Sequence, residues 1–499
     1  MDNLSTLLKT LNHNDRTQFK HYLVRKNKRT DVKNIQLLDL IETDDIEGVN
    51  KLYNAEKNKD AYHALRKRLQ DSLLLFLSQK IFENDHSESY DALRLLVVSR
   101  FLLENDVAKV AFKCLNKAER LAESLEQYNL LNELLLLKLQ YAHLPGAETL
   151  ESLSKRFQSN QSHMQLEAKL NMAYAFLRLE LQEINLRGKV VNLTNLMILT
   201  IRKYKISTRD LMSYKSIYQI LVIANEYAAI QQDYRLIERY VKRSNQFIEA
   251  QGQGRQSHLF YHISILYFLA NYQLRRKDFA ASRSYLEEMR RLMETDSQYA
   301  TLFNLRYQLI SALNLFYTGS APDAISTLQG SLSGTRQGSK PEELEDLRIC
   351  LTMCLALCDD RTALKQLRLL TQSDAWYEKK MGMLWTIRKN LMEILIQAQF
   401  SNIELAMSRL NSFRRRYRKY LLNTSEQRVL LFLKLVERYL NKPDVAYDER
   451  YRDAVYNMLG NLENSDIFNL SFIAWLIGRW EKKGVYAVVL KLIQEGSYS

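Results

Sequence analysis

Cys350, Cys354 and Cys358 recur every four residues, which places three thiols along one stripe of a helix, where thiolates could hold a soft metal. A compact zinc site usually draws Cys-x2-Cys pairs from turns, and no second pair occurs here. Buried cysteine otherwise packs as a small hydrophobe, and these three are read as core. His258 and His262 have the same spacing, near the start of a helix, a geometry that can clasp a metal. Leu259 stands where a zinc protease needs Glu beside the first histidine, and no acid occurs between Glu249 and Asp278. No metal site is expected. The loop Gly334 to Lys340 lacks the glycine spacing, the lysine position and the preceding strand of a phosphate-binding loop, so it reads as a connector.

The densest basic run is Arg414, Arg415, Arg416, Arg418 and Lys419, interleaved with Phe413, Tyr417 and Tyr420. Arginines beside aromatics could hold phosphates and stack single-stranded bases. No recognition motif accompanies them. A solvated helix end, where cations interact well with the helix dipole, is the preferred account. No nucleophile stands beside a plausible base and no cofactor fingerprint occurs, so neither catalysis nor a cofactor is expected.

The elements that must position these residues are helices. The 499 residues exceed the roughly 250 to 300 at which one core stops growing, so the chain is several domains or a repeat array. Pro occurs 4 times and Gly 14 times, far below typical usage, which leaves little backbone for sheets or tight hairpins. Hydrophobic residues make up 46% and charged residues 26%, enough to bury a core. The four cysteines are too few for a disulfide framework in a chain this long, and a reducing compartment follows. The first residues carry no basic head or apolar run, and the apolar stretches Val190 to Ile201 and Phe468 to Ile477 are too short or interrupted to span a bilayer. The chain is expected to be cytoplasmic, with no membrane insertion. Its net charge of +14 favours acidic partners, and residues 401 to 440 carry 9 Lys or Arg against 3 Asp or Glu.

Residues 1–85 read as a separate helical module, 86–330 as a helical-repeat array, and 341–499 as its continuation with a C-terminal helical cap. Apolar residues at helical spacing mark the first module at Phe19, Tyr22 and Leu23, at Ile35 and Leu38, and at Leu65, Leu69 and Leu73. Turns with capping residues separate them at Thr43 to Asp45 and Lys57 to Asp60. Pro145-Gly146 marks a stop, Gly252 and Gly254 another break, and Gly330 to Lys340 a candidate linker.

Four polar turns lead into second helices, at Lys277 to Ser282, Gly319 to Ala324, Asp359 to Ala363 and Ser401 to Ala406. Their small residues Ser282, Ala324, Ala363 and Ala406 lie 42, 39 and 43 residues apart. A fixed period in this range marks stacked helical hairpins, an α-solenoid. From about Tyr218 to Arg414 the chain resembles the tetratricopeptide repeat family. Leu266, Leu269 and Ala270 match its first-helix pattern, and Phe279, Ser282, Leu286 and Met289 its second. Ala312, Leu315, Gly319, Ala324 and Leu328 form the next copy, and Leu351, Cys354, Ala363, Leu367 and Leu370 the third. The period is nearer 40 than the 34 of that family, and the proline that usually ends the second helix is missing, so the repeats are degenerate with longer helices.

The resemblance implies a right-handed solenoid of roughly ten hairpins that binds a protein or peptide on its concave face. That face would include Gln219, Val222 and Glu226, then Ser264, Tyr267 and Asn271, then Arg306, Leu309 and Leu313. Asn271 and Arg306 resemble the residues with which some members grip a terminal carboxylate, but the lysine expected one turn before Asn271 is Tyr267, so that ligand is not implied. The expected function is a non-enzymatic scaffold or adaptor. The alternative is a nucleic-acid-binding or peptide-sensing regulator using the basic patches, for which residues 14 to 41 fit a helix-turn-helix only loosely.

Overall fold

A computed structural model gives the structure of the protein. It describes all residues except 1–3, 5–6, 9–10, 12, 28–32, 43–44, 46–47, 49–58, 85–87, 188–191, 208–212, 232, 252–257, 335–339, 424–426, 461–465, 482–483 and 497–499. Thr43, Asp44, Lys57, Asn58, Gly252, Gly254 and most of the loop before Lys340 therefore lie outside the described residues. Among those described, every regular element is a helix and no strand occurs. None of these helices is long and apolar enough to cross a membrane. The fold is all-α: stacked helical hairpins preceded in sequence by an N-terminal helical module. The chain divides into two compact units, Met1–Met164 and, apart from residues 336–338, Gln165–Ser499.

In the first unit, α1 (His13–Asn27), α2 (Lys33–Glu42) and α3 (Lys59–Asn84) share a core that includes Phe19, Leu23, Leu38, Leu69 and Leu73. A second core gathers Leu96, Ala111, Leu115, Ala118 and Leu134 from α4 (Glu88–Glu104), α5 (Ala108–Ser124) and α6 (Tyr128–Gln140). Sequence patterning did not reveal the polar centre beside it. Lys138 of α6 is only 2% exposed and pairs with Glu119 of α5 and with Glu148, at 2.8 Å from the latter, while Arg156 of α7 (Leu150–Arg187) pairs with the same two acids. A charge buried this far is tolerable only when paired, so the network fixes how these three helices meet.

The second unit contains α8 (Leu193–Tyr204), α9 (Tyr214–Gln231) and α10 (Glu238–Gln251), followed by four hairpins. These join α11 (Leu259–Arg275) to α12 (Phe279–Glu294), α13 (Ser297–Tyr317) to α14 (Ala321–Ser333), α15 (Pro341–Leu357) to α16 (Ala363–Leu367), and α18 (Met383–Gln399) to α19 (Ile403–Asn423). Each first helix ends in the same way. Lys277, Gly319, Asp359 and Ser401 adopt left-handed φ of 66°, 103°, 64° and 67°, at intervals of 42, 40 and 42 residues. The amide that follows each donates back to a carbonyl five residues earlier, at 3.0, 2.9, 2.9 and 2.9 Å, which satisfies a helix-end acceptor and reverses the chain. The small residues of the second helices, Ser282, Ala324, Ala363 and Ala406, are all fully buried, as close crossing of two axes requires. The Ser282 hydroxyl also donates to the Ala270 carbonyl at 2.8 Å.

Three features differ from the sequence reading. The matched positions Ala363, Leu367 and Leu370 imply a full second helix, yet α16 stops at Leu367. Ser373 instead caps a new helix, α17 (Asp374–Lys380), by accepting from the Trp376 amide, because Thr-Gln-Ser-Asp offers its backbone better bonds outside a helix. The linker read from Gly330 begins later, since α14 runs through Gly330 to Ser333; Pro341 does open α15, with Glu342 and Glu343 in its first turn. Finally, not every helix packs only on its sequence neighbours. After α20 (Gln427–Asn441) and α21 (Glu449–Leu459), helices α22 (Ile467–Glu481) and α23 (Val485–Glu495) return to the ends of earlier first helices. Tyr317 meets Ser471 at 3.2 Å, the Tyr486 hydroxyl donates to the Phe316 carbonyl at 2.6 Å, and the Trp475 indole donates to Gln399 at 3.1 Å.

Candidate binding cleft

The residues expected on the concave face lie on α9, α11 and α13, and most of their polar groups are bonded to the neighbouring first helix. Gln219 donates to Asn171 at 3.4 Å, Glu226 pairs with Arg178, Asn271 donates to Asn225 at 3.0 Å, and Arg306 pairs with Glu343 at 2.9 Å. Ser264 is buried and donates within its own helix to the Phe260 carbonyl at 2.7 Å. Leu313 belongs to the core, while Val222 and Leu309 are half-buried. Tyr267 lies under the Arg306 guanidinium, 5.8 Å from its ring centre, and burial pushes its phenol up to about 12. Together these side chains form a ladder that joins successive helices. Asp346 extends it by accepting from the Trp385 indole at 2.8 Å, and burial raises its carboxyl to about 6.

A different place opens onto a cleft. Counting from the left-handed turn residues Asp359 and Ser401, the positions of Leu347, Leu351 and Leu355 on α15 correspond to Lys389, Glu393 and Gln397 on α18. The three leucines are at most 2% exposed and belong to the core. In the next copy the same stripe is polar. The thirteen residues of α14 pack along α15, whereas the five of α16 cannot cover α18 in the same way. The result is an open cleft of about 1130 Å³ between α16, α18 and the start of α19, with Lys389, Glu393 and Gln397 among its lining residues.

The floor of this cleft is bonded within itself. Lys389 pairs with Asp374 at 3.3 Å and Glu393 at 3.7 Å, Arg409 reaches Glu393 at 2.9 Å, and Asn402 donates to Gln397 at 2.8 Å. Burial alone would raise the Asp374 carboxyl, but Lys389, Asn390 and Arg416 outweigh it and hold the group below the ordinary carboxylate range. The rim is mixed: Ile403 and Leu405 are 40% and 42% exposed, and Arg368 and Glu404 are exposed charges beside them. The cleft went unnoticed in the sequence, although three polar residues in register with three leucines were a readable signal.

Two members of the basic run are occupied by acids. Arg416 pairs with Glu378 at 2.8 Å and Arg414 with Glu437 at 2.6 Å, whereas Arg415, Arg418 and Lys419 are exposed and have no ion pair among the described residues. The interleaved rings do not reach solvent. Phe413, Tyr417 and Tyr420 are buried, so they offer no platform for stacking bases.

The remaining chemical candidates are packed away. Burial pushes the Cys350 thiol up to about 12 and the Cys358 thiol to about 11, and raises Cys354 well above the ordinary thiol range, which makes all three poor thiolates. His258 stacks on Tyr214 and His262 packs tilted against the same ring, and burial lowers His262 to about 4, so it is neutral at ordinary pH. Among the described residues no group of three or more His, Cys, Asp or Glu side chains is placed to hold a metal ion. No family model matches the chain, and no curated protein matches it.

Proposed function

We propose that the chain is a non-catalytic, protein-binding scaffold of the tetratricopeptide-like kind, and that the cleft on α18 receives an extended segment of a partner protein. The observation that carries this reading is the replacement of the Leu347, Leu351 and Leu355 stripe by Lys389, Glu393 and Gln397 beside a second helix of only five residues. Lys389, Glu393 and Gln397 are only 8 to 9% exposed although they line the cleft, and a buried polar stripe stabilises little that leucine would not stabilise better. The cleft is larger and more open to solvent than the roughly 300–1,000 Å³ apolar pockets that enclose small molecules. Its charged floor and its rim of both apolar and charged side chains suit a polypeptide, which brings amide groups and side chains of both kinds. The ladder from Gln219 to Arg306 holds the stack together in this reading, in place of the ligand contact first expected of it.

Selection from a displayed library of random peptides against the full chain tests the proposal. Peptides enriched on the natural chain should bind at least ~10-fold more weakly to a variant carrying Lys389→Leu, Glu393→Leu and Gln397→Leu, a loss of about 1.4 kcal/mol. Peptides that bind both proteins equally, or no enrichment at all, would contradict it.

A further inference from the structure

The hairpin of α19 and α20 carries a second, separate surface. Arg409, Arg414 and Arg416 are neutralised by Glu393, Glu437 and Glu378. Arg415, Arg418 and Lys419 are not: they are exposed, have no ion pair among the described residues, and lie at i, i+3 and i+4, on one face of α19. On α20, Arg428 and Lys434 are likewise exposed without an ion pair among those residues. The Arg414 to Glu437 pair fixes how the two helices face each other. Arg418 stands one turn from Arg414, and Lys434 three residues from Glu437, so these two cations border the same junction, whereas Arg428, nine residues before Glu437, lies on the other side of α20. Like charges gathered without counter-charges repel, by a few tenths of a kcal/mol per pair, so this surface lowers stability slightly unless a polyanion screens it.

We propose that this face of α19 and α20 binds the phosphate backbone of double-stranded nucleic acid without reading its sequence. Rigid helices hold the cations in a fixed array, which suits the regular phosphates of a duplex. The rings that would favour single strands, Phe413, Tyr417 and Tyr420, are all in the core. A lipid surface is the poorer fit: among the described residues, the only large apolar side chains exposed on these two helices beyond the cleft are Leu422 and Leu431, whereas peripheral membrane helices bury a continuous apolar face.

Fluorescence anisotropy of the full chain with a labelled ~20-base-pair duplex, the corresponding single strand and phosphatidylserine vesicles, at ~50 and ~200 mM salt, provides the test. Two variants are compared. One carries Arg415→Gln, Arg418→Gln and Lys419→Gln; the other removes the same charge elsewhere, through Arg283→Gln, Arg291→Gln and Arg361→Gln, all exposed positions. Duplex binding is expected to weaken at least ~10-fold in the first variant, with the salt slope falling by roughly 2 to 3, and to change less than about 2-fold in the second. Equal loss in both variants would reduce the effect to net charge and overturn the proposal. So would tighter binding of the single strand, binding of vesicles alone, or no duplex binding at low salt. None of these outcomes bears on the peptide cleft, because no substituted residue lines it.

Discussion

Arg275, the last residue of α11, forms a 2.8 Å ion pair with Asp466, which lies 191 residues later and just before α22. The carboxylate is 2% exposed, and it also accepts from the Phe468 amide at 3.0 Å, so one side chain caps α22 and ties it to the repeat array. Burial alone would raise the Asp466 carboxyl; Arg275 and Arg388 outweigh it and hold the group below its ordinary range. Removing one partner of a buried pair strands the other. Asp466→Ala should therefore destabilise the second unit by about 3 to 5 kcal/mol in urea denaturation, with the C-terminal helices losing hydrogen-exchange protection. Because the folded group titrates lower than the unfolded one, its contribution is present above the unfolded value of about 3.9 and is lost as pH falls further.

Asp346 titrates in the opposite sense. Its carboxyl is raised to about 6 by burial and accepts from the Trp385 indole at 2.8 Å. The ionised form is therefore less favourable in the folded chain than in the unfolded one, a cost present above pH 6 and relieved as pH falls through that value. Tryptophan fluorescence should show a transition near pH 6 that disappears in Asp346→Asn. A transition unchanged in that variant would assign it elsewhere.

The turn residues make a local prediction. Ser401 adopts φ of 67°, where a β-carbon is strained, and its side chain is exposed. Ser401→Gly should stabilise by roughly 0.5 to 1 kcal/mol, and Ser401→Val should destabilise by about 1 to 2 kcal/mol. Gly319, at φ of 103° with open space around it, should lose about as much on substitution by Ala, because only the backbone resists. Thermal melting of the three variants checks the series.

The floor of the cleft makes another. Lys389→Ala alone leaves Asp374 and Glu393 without their shared cation, and should cost about 1 to 3 kcal/mol in denaturation. The triple leucine variant also removes Glu393, one of the two acids stranded by Lys389→Ala, and adds apolar burial, so it should be less destabilised than Lys389→Ala although Asp374 and Arg409 keep no partner in the stripe. A triple variant less stable than Lys389→Ala would show that the stripe serves the fold.

Much of this architecture is legible in the sequence because it is local. The small residues at Ser282, Ala324, Ala363 and Ala406 and the polar turns before them are set by close crossing and by helix-end bonding, and both act within a few residues. The burial of Phe413, Tyr417 and Tyr420 also follows from their helical spacing, which marks a core face more simply than a stacking platform. What could not be read is non-local. Nothing near Arg275 announces Asp466, and the ladder from Asn171 to Trp385 pairs residues on different helices. The early end of α16 was hidden because Leu370 stays buried, and so keeps the apolar pattern of a helix that has already stopped.

Hydrogen exchange of the full chain with and without a selected peptide tests the central claim most directly. Binding in the cleft should slow exchange in residues 364–374 and 401–409 and leave 219–226, 264–271 and 306–313 unchanged. Protection confined to the latter three stretches would place the peptide on the inter-helix ladder and contradict the assignment of the cleft.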